Sequence, residues 1–203
     1  MKPLHRSLLA AGLMLPLAAL LLVTFACLPV PIGDPEKSKV DPALAGIYKA
    51  IPKDTADKSS TLALLQAWDD KTYLLTYMSV QKGDKQDDLA INHFKGWLTT
   101  IEGKTFITLK PMDDPAPVIG DAPDKPFWVV LRLDKTATGM QAFMVNPDAE
   151  IFKGLTKQEE FEAAIKAHVS DKATYSDPLE FKKLGKDDKA MIDDVMSKFN
   201  TKK

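Results

Sequence analysis

The sequence predicts a mainly β fold, either an antiparallel β-barrel or a strongly curved sheet, followed by two C-terminal helices. About eight segments between residues 44 and 145 are rich in aromatic and β-branched residues and are bounded by polar turn residues. Short turns join several of them, which favours antiparallel pairing. Residues 127–133 carry apolar side chains on both faces, whereas an open sheet with one wet face alternates more cleanly. This pattern favours a sheet whose two faces are both covered.

The first 26 residues have the three-part pattern of an export signal. Lys2 and Arg6 give a positive start, residues 8–25 carry no charge, and the small Ala26 precedes Cys27. Charge, then an apolar run, then a small residue is the order found in signal peptides. We therefore interpret residues 1–26 as a signal peptide and exclude them from the fold.

The sequence Thr24-Phe25-Ala26-Cys27 resembles a bacterial lipobox, with Thr24 and Phe25 where Leu and then Ala or Ser are usual. The resemblance implies that Cys27 is lipidated and becomes the mature N-terminus, so that the membrane is a partner through this lipid. Cys27 is also the only cysteine, so it forms no intramolecular disulfide, and acylation would account for an odd cysteine in an exported protein.

Two alternatives to lipidation stay open at this point. Thr24-x-Ala26 also fits an ordinary signal-peptidase site, which would release a soluble protein with a free thiol. Residues 8–32 are also long enough to span a bilayer uncut, because about 20 apolar residues suffice. The prolines in this stretch disfavour a regular spanning helix.

Residues 27–43 are interpreted as a proline-rich tether, because four prolines are mixed with charges and a glycine. An extended segment of this length could hold the following domain up to roughly 50 Å from its anchor. Residues 31–38 are similar to the tether of small uncharacterised proteobacterial lipoproteins. That resemblance, with Leu28 after the cysteine, implies an outer-membrane location facing the periplasm.

Residues 44–203 are predicted to form a single β-rich domain with C-terminal helices. Strands are expected at about 44–51, 61–68, 73–80, 89–98 with a break near Gly96, on both sides of a turn at 102–103, at 127–133 and at 140–145. Gly46-Ile47-Tyr48 in the first of these strands resembles the Gly-x-Trp that opens lipocalin-like barrels, with Tyr48 in place of the Trp. The resemblance implies a barrel and leaves the function open.

Two helices are expected near the C-terminus. Thr156 and Glu159 have the spacing of a capping box, and the apolar stripe that follows ends at His168. Asp187 is expected to cap the last helix. The buried face of that helix would comprise Met191, Ile192, Val195, Met196 and Phe199.

Charge excludes one class of partner. Removing Lys2 and Arg6 from the 27 basic residues leaves 25 against 28 acidic ones, a net charge of −3 with the signs interspersed. Nucleic-acid binding calls for a basic patch, so none is expected. The paired aspartates lack the glycine and terminal glutamate of a calcium loop, and we expect neither a metal nor a cofactor.

The sequence presents no catalytic motif of known spacing. His93 and His168 are the two histidines of the mature chain, and a histidine without such context is more often structural. We therefore predict a lipid-anchored, non-enzymatic envelope protein that binds an apolar small ligand or an envelope partner. An envelope hydrolase that uses His93 or His168 with a carboxylate is the alternative.

If the barrel has a pocket, its aromatic side chains are the candidates to line it, although buried aromatics more often fill a core. The candidate pocket-lining residues are Tyr48, Tyr73, Tyr77, Trp97 and Trp128.

Overall fold

The computed structural model of the chain describes residues 27–53, 60–81, 88–112, 127–190 and 192–193. The signal peptide predicted for residues 1–26 lies outside the described residues. The elements are, in order, β1 (Cys27–Leu28), β2 (Gly46–Ile51), β3 (Ser60–Ala67), β4 (Thr72–Gln81), β5 (Asp88–Ile101), β6 (Lys104–Pro111), β7 (Trp128–Lys135), β8 (Gly139–Met144), α1 (Gln158–Ala167) and β9 (Leu179–Lys183).

Strands β2 to β9 close into an eight-stranded antiparallel barrel. Each strand from β2 to β8 pairs with the next one along the chain, and β9 completes the circle by pairing with both β8 and β2. The prediction of a mainly β fold is confirmed, and of its two forms the barrel is the one observed. Closure leaves β2 and β8, which would otherwise end the sheet, with a partner on each side.

Alternate residues of each strand point into the barrel or away from it. The interior is filled by an apolar cluster to which β2 contributes Tyr48, β3 Leu65 and β6 Leu109. A second apolar cluster lies outside the barrel, where Phe106 and Val130 are covered by α1 and by residues that flank it. The apolar character on both faces of β6 and β7 therefore reflects two separate cores, one inside the barrel and one under the helix.

One end of the barrel is closed by short turns between strands. The β5–β6 turn consists of Glu102 and Gly103, whose φ angles of 49° and 73° are both in the left-handed region. Two successive residues of this kind form the hairpin turn whose twist matches that of the paired strands. The hairpin predicted here is therefore present.

The strand break predicted near Gly96 is wrong, because β5 continues from Asp88 to Ile101. Gly96 lies under the side chains of the neighbouring strand β6. A Cβ atom at this position would come within 2.8 Å of a methyl group of Leu109. Glycine is thus used here to admit a close side chain, and it does not end the strand.

Residues 27–43, predicted to be an extended tether, lie against the barrel in the structure. Leu28 and Ile32 have no exposed surface. Further along, the 3₁₀ turn Pro42–Leu44 leads into β2, and Leu44 joins the interior cluster. The segment therefore belongs to the folded unit that it was expected to hold at a distance.

The described residues contain one α-helix, α1, where two were predicted. Its N-cap is Lys157, one residue later than the predicted cap Thr156. Beyond the 3₁₀ turn Lys186–Asp188, only a few described residues continue in helical conformation, which is too short a stretch to count as the second helix. The rest of that predicted helix, with Met191, Val195, Met196 and Phe199, lies outside the described residues.

Candidate functional site

The barrel interior contains a small cavity of about 50 Å³. Its walls are apolar side chains from six of the eight barrel strands, together with Tyr48 of β2. They are Tyr48, Ala63, Leu65, Leu75, Ile107, Leu109, Leu131, Leu133, Met140, Ala142 and Phe181. Pockets for drug-sized ligands measure about 300–1,000 Å³, and even benzene occupies an engineered cavity of about 150 Å³. As formed by the described residues, the interior cavity therefore has no room for a lipid or a ligand of comparable size.

The three candidate tyrosines point into the barrel, but their hydroxyl groups serve different purposes. Tyr48 borders the cavity and donates a hydrogen bond to the carbonyl oxygen of Leu44 at 2.7 Å. The Tyr73 hydroxyl donates to the carbonyl of Asp41 at 3.0 Å and accepts from its amide at 2.5 Å. Both therefore fasten the residues just before β2 to the end of the barrel.

Tyr77 belongs to a polar patch on the inner wall. In the strand register Tyr77 of β4 lies opposite Asn92 of β5. Thr61 of β3 lies opposite Ser79 of β4, and Ser79 is two residues after Tyr77 on the same inward face. Burial raises the pKa of Tyr77, and a hydrogen bond with Thr61 acts in the opposite direction. Ser79 and Asn92 are each 7% exposed. The interior thus combines an apolar cavity with a polar patch, which is the composition of a small-molecule site, at a fraction of its usual size.

The two candidate tryptophans lie on the outer surface of the barrel. Trp97 is covered by the N-terminal segment and donates its indole N–H to the carbonyl oxygen of Ile32 at 2.9 Å. Trp128 opens β7 and is half-buried, opposite Leu28 in the register. The structure therefore does not bring the five candidate aromatic residues together into one site.

A larger concavity of about 610 Å³ lies outside the barrel, between the N-terminal segment, the β5–β6 hairpin and α1. Its walls are mainly hydroxyl and charged groups. They are Gly33, Asp34, Lys37, Ser38, Lys39, Asp41, Leu98, Thr99, Thr100, Thr105, Gln158 and Glu162. We call this concavity the polar groove. It was missed in the sequence because it forms only once residues 33–41 pack on the barrel; the cluster of threonines around the hairpin was its one local signal.

The two histidines lie on different elements. His93 is in the middle of β5, opposite Thr76, and is partly buried. His168 is the C-cap of α1, and its Nδ1 lies 2.7 Å from a carboxylate oxygen of Asp171. This histidine–carboxylate contact joins residues three apart on an exposed turn that follows α1 directly. A histidine beside a carboxylate is the pair that the hydrolase alternative requires. A contact between residues three apart in a turn also forms for purely structural reasons.

Cys27 lies at the start of the described chain, and its backbone pairs with Val129 of β7. On its other side Val129 pairs with Leu109 of β6. β1 therefore pairs with the start of β7 on the same edge that β8 pairs with from Leu131 onward. The proposed lipidation position is therefore held at the barrel wall.

Among the described residues, no three His, Cys, Asp or Glu side chains come together in a group that could hold a metal ion. No helix in the described ranges has both the length and the apolar character needed to cross a bilayer. Fold and site together define an eight-stranded antiparallel β-barrel with a nearly filled interior and a polar groove on its outer wall. Comparison of the chain with protein-family models, curated proteins and solved structures finds no match.

Proposed function

We propose that the protein is a lipid-anchored component of a bacterial cell envelope that binds an envelope partner through the polar groove, without catalysing a reaction. The observation that carries this proposal is the contrast between about 50 Å³ inside the barrel and about 610 Å³ in the polar groove. A binding function needs a surface on which the partner fits, and the groove offers far more room than the interior.

The anchor and the location are supported by the sequence. The lipobox-like segment ends at Cys27, the sole cysteine, and Leu28 after it favours the outer membrane, with the barrel facing the periplasm. Gly46-Ile47-Tyr48 opens the first barrel strand, which supports the resemblance of the barrel to lipocalin-like barrels. These assignments set the compartment in which a partner is to be sought.

The composition of the groove indicates the chemistry of that partner. Lys37 and Lys39 share the groove wall with Asp34 and Glu162 and with three threonines, and Lys37 lies 3.5 Å from the carboxylate of Asp34. Such a surface offers charged groups of both signs together with hydroxyl donors and acceptors. It suits a polar segment of another envelope protein, since complementary charges set register and specificity in protein–protein contacts.

Site-specific photo-crosslinking in intact cells tests this proposal. A photoreactive residue in place of Thr100 lies in the groove, and one in place of Glu180 lies on β9, across the barrel from β5. We expect one discrete adduct from position 100, its loss when Lys37 and Lys39 are changed to glutamate, and no such adduct from position 180. Equal labelling from both positions, or labelling that survives the charge reversal, would contradict the proposal.

A second candidate, an apolar ligand inside the barrel, is favoured by the apolar cavity beside the Tyr77 patch. It requires the interior to expand on binding, because the ligand would have to displace side chains that fill the barrel. The hydrolase alternative rests on the His168–Asp171 contact. Hydrolysis of model esters by the purified protein, abolished by His168→Ala, would favour it over the binding proposal.

A further inference from the structure

The chain becomes part of the folded barrel immediately after Cys27. The next residue, Leu28, has no exposed surface, and its backbone pairs with Trp128 at the start of β7. Consecutive Cα atoms are only about 3.8 Å apart. A lipid on Cys27 would therefore be attached within one residue of a buried position of the barrel wall.

The segment that follows is fixed at several points along its length. Ile32 is fully buried, and its carbonyl oxygen accepts hydrogen bonds from Trp97 and from the Thr108 hydroxyl at 2.9 and 2.7 Å. The Gly33 amide donates to Glu162 of α1 at 2.8 Å, and Gln158 donates to the Gly33 carbonyl at 3.0 Å.

The attachment continues toward the other end of the barrel. The Leu98 amide donates to Ser38 Oγ at 2.9 Å, and the Val40 amide donates to the carbonyl of Asp70 at 3.1 Å. Residues 28–44 thus contact β7, β6, β5, α1 and the β3–β4 turn in succession. No stretch of this segment is left to act as a spacer.

The wall next to Cys27 also has a surface suited to the edge of a bilayer. Trp128 is half-buried on the outer face of β7, and Pro29 is exposed beside it. Tryptophan is enriched at the level of lipid headgroups, where its ring meets both apolar and polar surroundings. In contrast, Trp68, which is 54% exposed, lies at the β3–β4 turn, at the opposite end and on the opposite side of the barrel.

From these contacts we infer that the barrel lies directly on the membrane, with the wall formed by β1 and the start of β7 at the headgroup level and Trp128 in the interface. This inference rests on the proposed lipidation of Cys27. A tethered domain would move freely within roughly 50 Å of its anchor. In the inferred arrangement, a single residue separates the lipid from the folded barrel and fixes its position.

Quenching of tryptophan fluorescence by brominated phospholipids tests the inference on the lipidated full-length protein in vesicles. Trp68→Phe leaves Trp128 as the candidate interfacial residue, and Trp128→Phe leaves Trp68; Trp97 stays in both variants. We expect Trp68→Phe to be quenched at least as strongly as the unaltered protein, and Trp128→Phe to lose more than half of the quenching.

A linker variant provides the matched control. A Gly/Ser insertion of about 12 residues between Cys27 and Leu28 restores a flexible spacer and leaves the barrel sequence intact. We expect it to lose most of the quenching seen in the Trp68→Phe background. Intact mass measured on the same samples separates the outcomes. Acylated protein whose Trp128 is not quenched would overturn the inference alone, whereas protein without acyl chains would overturn the anchor and the inference together.

Discussion

The indole N–H of Trp97 donates a hydrogen bond to the carbonyl oxygen of Ile32, 65 residues earlier in the chain. Trp97 is on the outer face of a central barrel strand, and Ile32 is in the proline-rich segment that precedes the barrel. Both groups are buried, so neither is satisfied by water when the contact is lost. This bond therefore makes the N-terminal segment a structural part of the domain.

The first prediction is that a chain beginning at Asp41 is much less stable than a chain beginning at Leu28. The shorter chain lacks Leu28 and Ile32, and burying one such side chain contributes about 1.5–3 kcal/mol. We expect the free energy of unfolding to fall by at least about 3 kcal/mol, measured with denaturant. Both chains lack Cys27, so a thiol or lipid cannot cause the difference. Equal midpoints would mean that the segment acts as a tether.

The second prediction concerns the Ile32 carbonyl, which has two donors. Trp97→Phe and Thr108→Val should each cost about 1 kcal/mol, because the other donor remains. The double variant leaves a buried acceptor without either donor, so its cost should exceed the sum of the single costs by about 1 kcal/mol. Denaturant unfolding of all four proteins measures the coupling. Simple additivity would show that water replaces the lost donors.

Local sequence patterns predicted the barrel well and its N-terminal covering badly, and the difference has a physical cause. Strand periodicity and the Glu102-Gly103 turn are set by neighbouring residues, so they can be recognised in the sequence. The proline-rich segment has the local composition of a tether. Its fixation depends on Trp97 and Thr108, which are more than 60 residues away, and no local pattern records that contact.

The candidate site illustrates the same limit. Alternation in β4 is sufficient to place Tyr73 and Tyr77 on one face, and the structure puts both inside the barrel. Trp97 and Trp128 were grouped with them because they are aromatic, although which face of a strand points inward depends on closure of the barrel. The polar groove could not be predicted from the threonine cluster alone, since three separate parts of the chain form it.

The third prediction concerns Arg132, a nearly buried cation on the outer face of β7. Its guanidinium carbon lies 4.1 Å from the ring centroid of Phe143 and 4.4 Å from that of Tyr175, and it donates to the carbonyl of Val169 at 3.2 Å. Lysine keeps the charge but cannot stack its head group on two rings. We expect Arg132→Lys to lower the free energy of unfolding by about 2 kcal/mol.

Phe143→Leu is the matched variant for this contact, because it removes one ring and keeps an apolar side chain. In that background the further cost of Arg132→Lys should be smaller, since one cation–π contact is already absent. Thermal or denaturant unfolding measures both costs. An unchanged cost would indicate that the preference for arginine is determined by its polar contacts with the carbonyl of Val169 and the carboxylate of Asp134, and not by the rings.

The fourth prediction concerns the start of α1. The carboxylate of Glu160 accepts hydrogen bonds from the amides of Thr156 and Lys157 at 3.1 and 3.2 Å, and these bonds lower its pKa. Thr156→Ala should leave stability almost unchanged, because the Thr156 group in this contact is its backbone amide. Glu160→Gln should destabilise the protein at neutral pH, because the amide is a weaker acceptor than the carboxylate.

The pH dependence of the Glu160 contribution follows from the direction of its pKa. A carboxyl group whose pKa is lower in the folded state stabilises that state above its unfolded pKa, and the contribution is lost as the pH falls through the folded value. The stability difference between the unaltered protein and Glu160→Gln should therefore shrink on acidification below about pH 4.5. A stability difference that stays constant down to about pH 2 would contradict this role of the Glu160 carboxylate.

The last prediction separates the two binding functions. A barrel with about 50 Å³ of internal space should show no saturable binding of a fluorescent fatty acid, because the chain would have to displace several close-packed side chains. Ala142 is on the cavity wall and is 1% exposed, so Ala142→Leu should fill the remaining space without altering the outer surface. If the partner binds at the polar groove, this variant should keep the photo-crosslink from position 100.

A probe that binds the unaltered barrel at one site, and no longer binds to Ala142→Leu, would show that the interior opens for a ligand. The carrier function would then replace the proposed groove function.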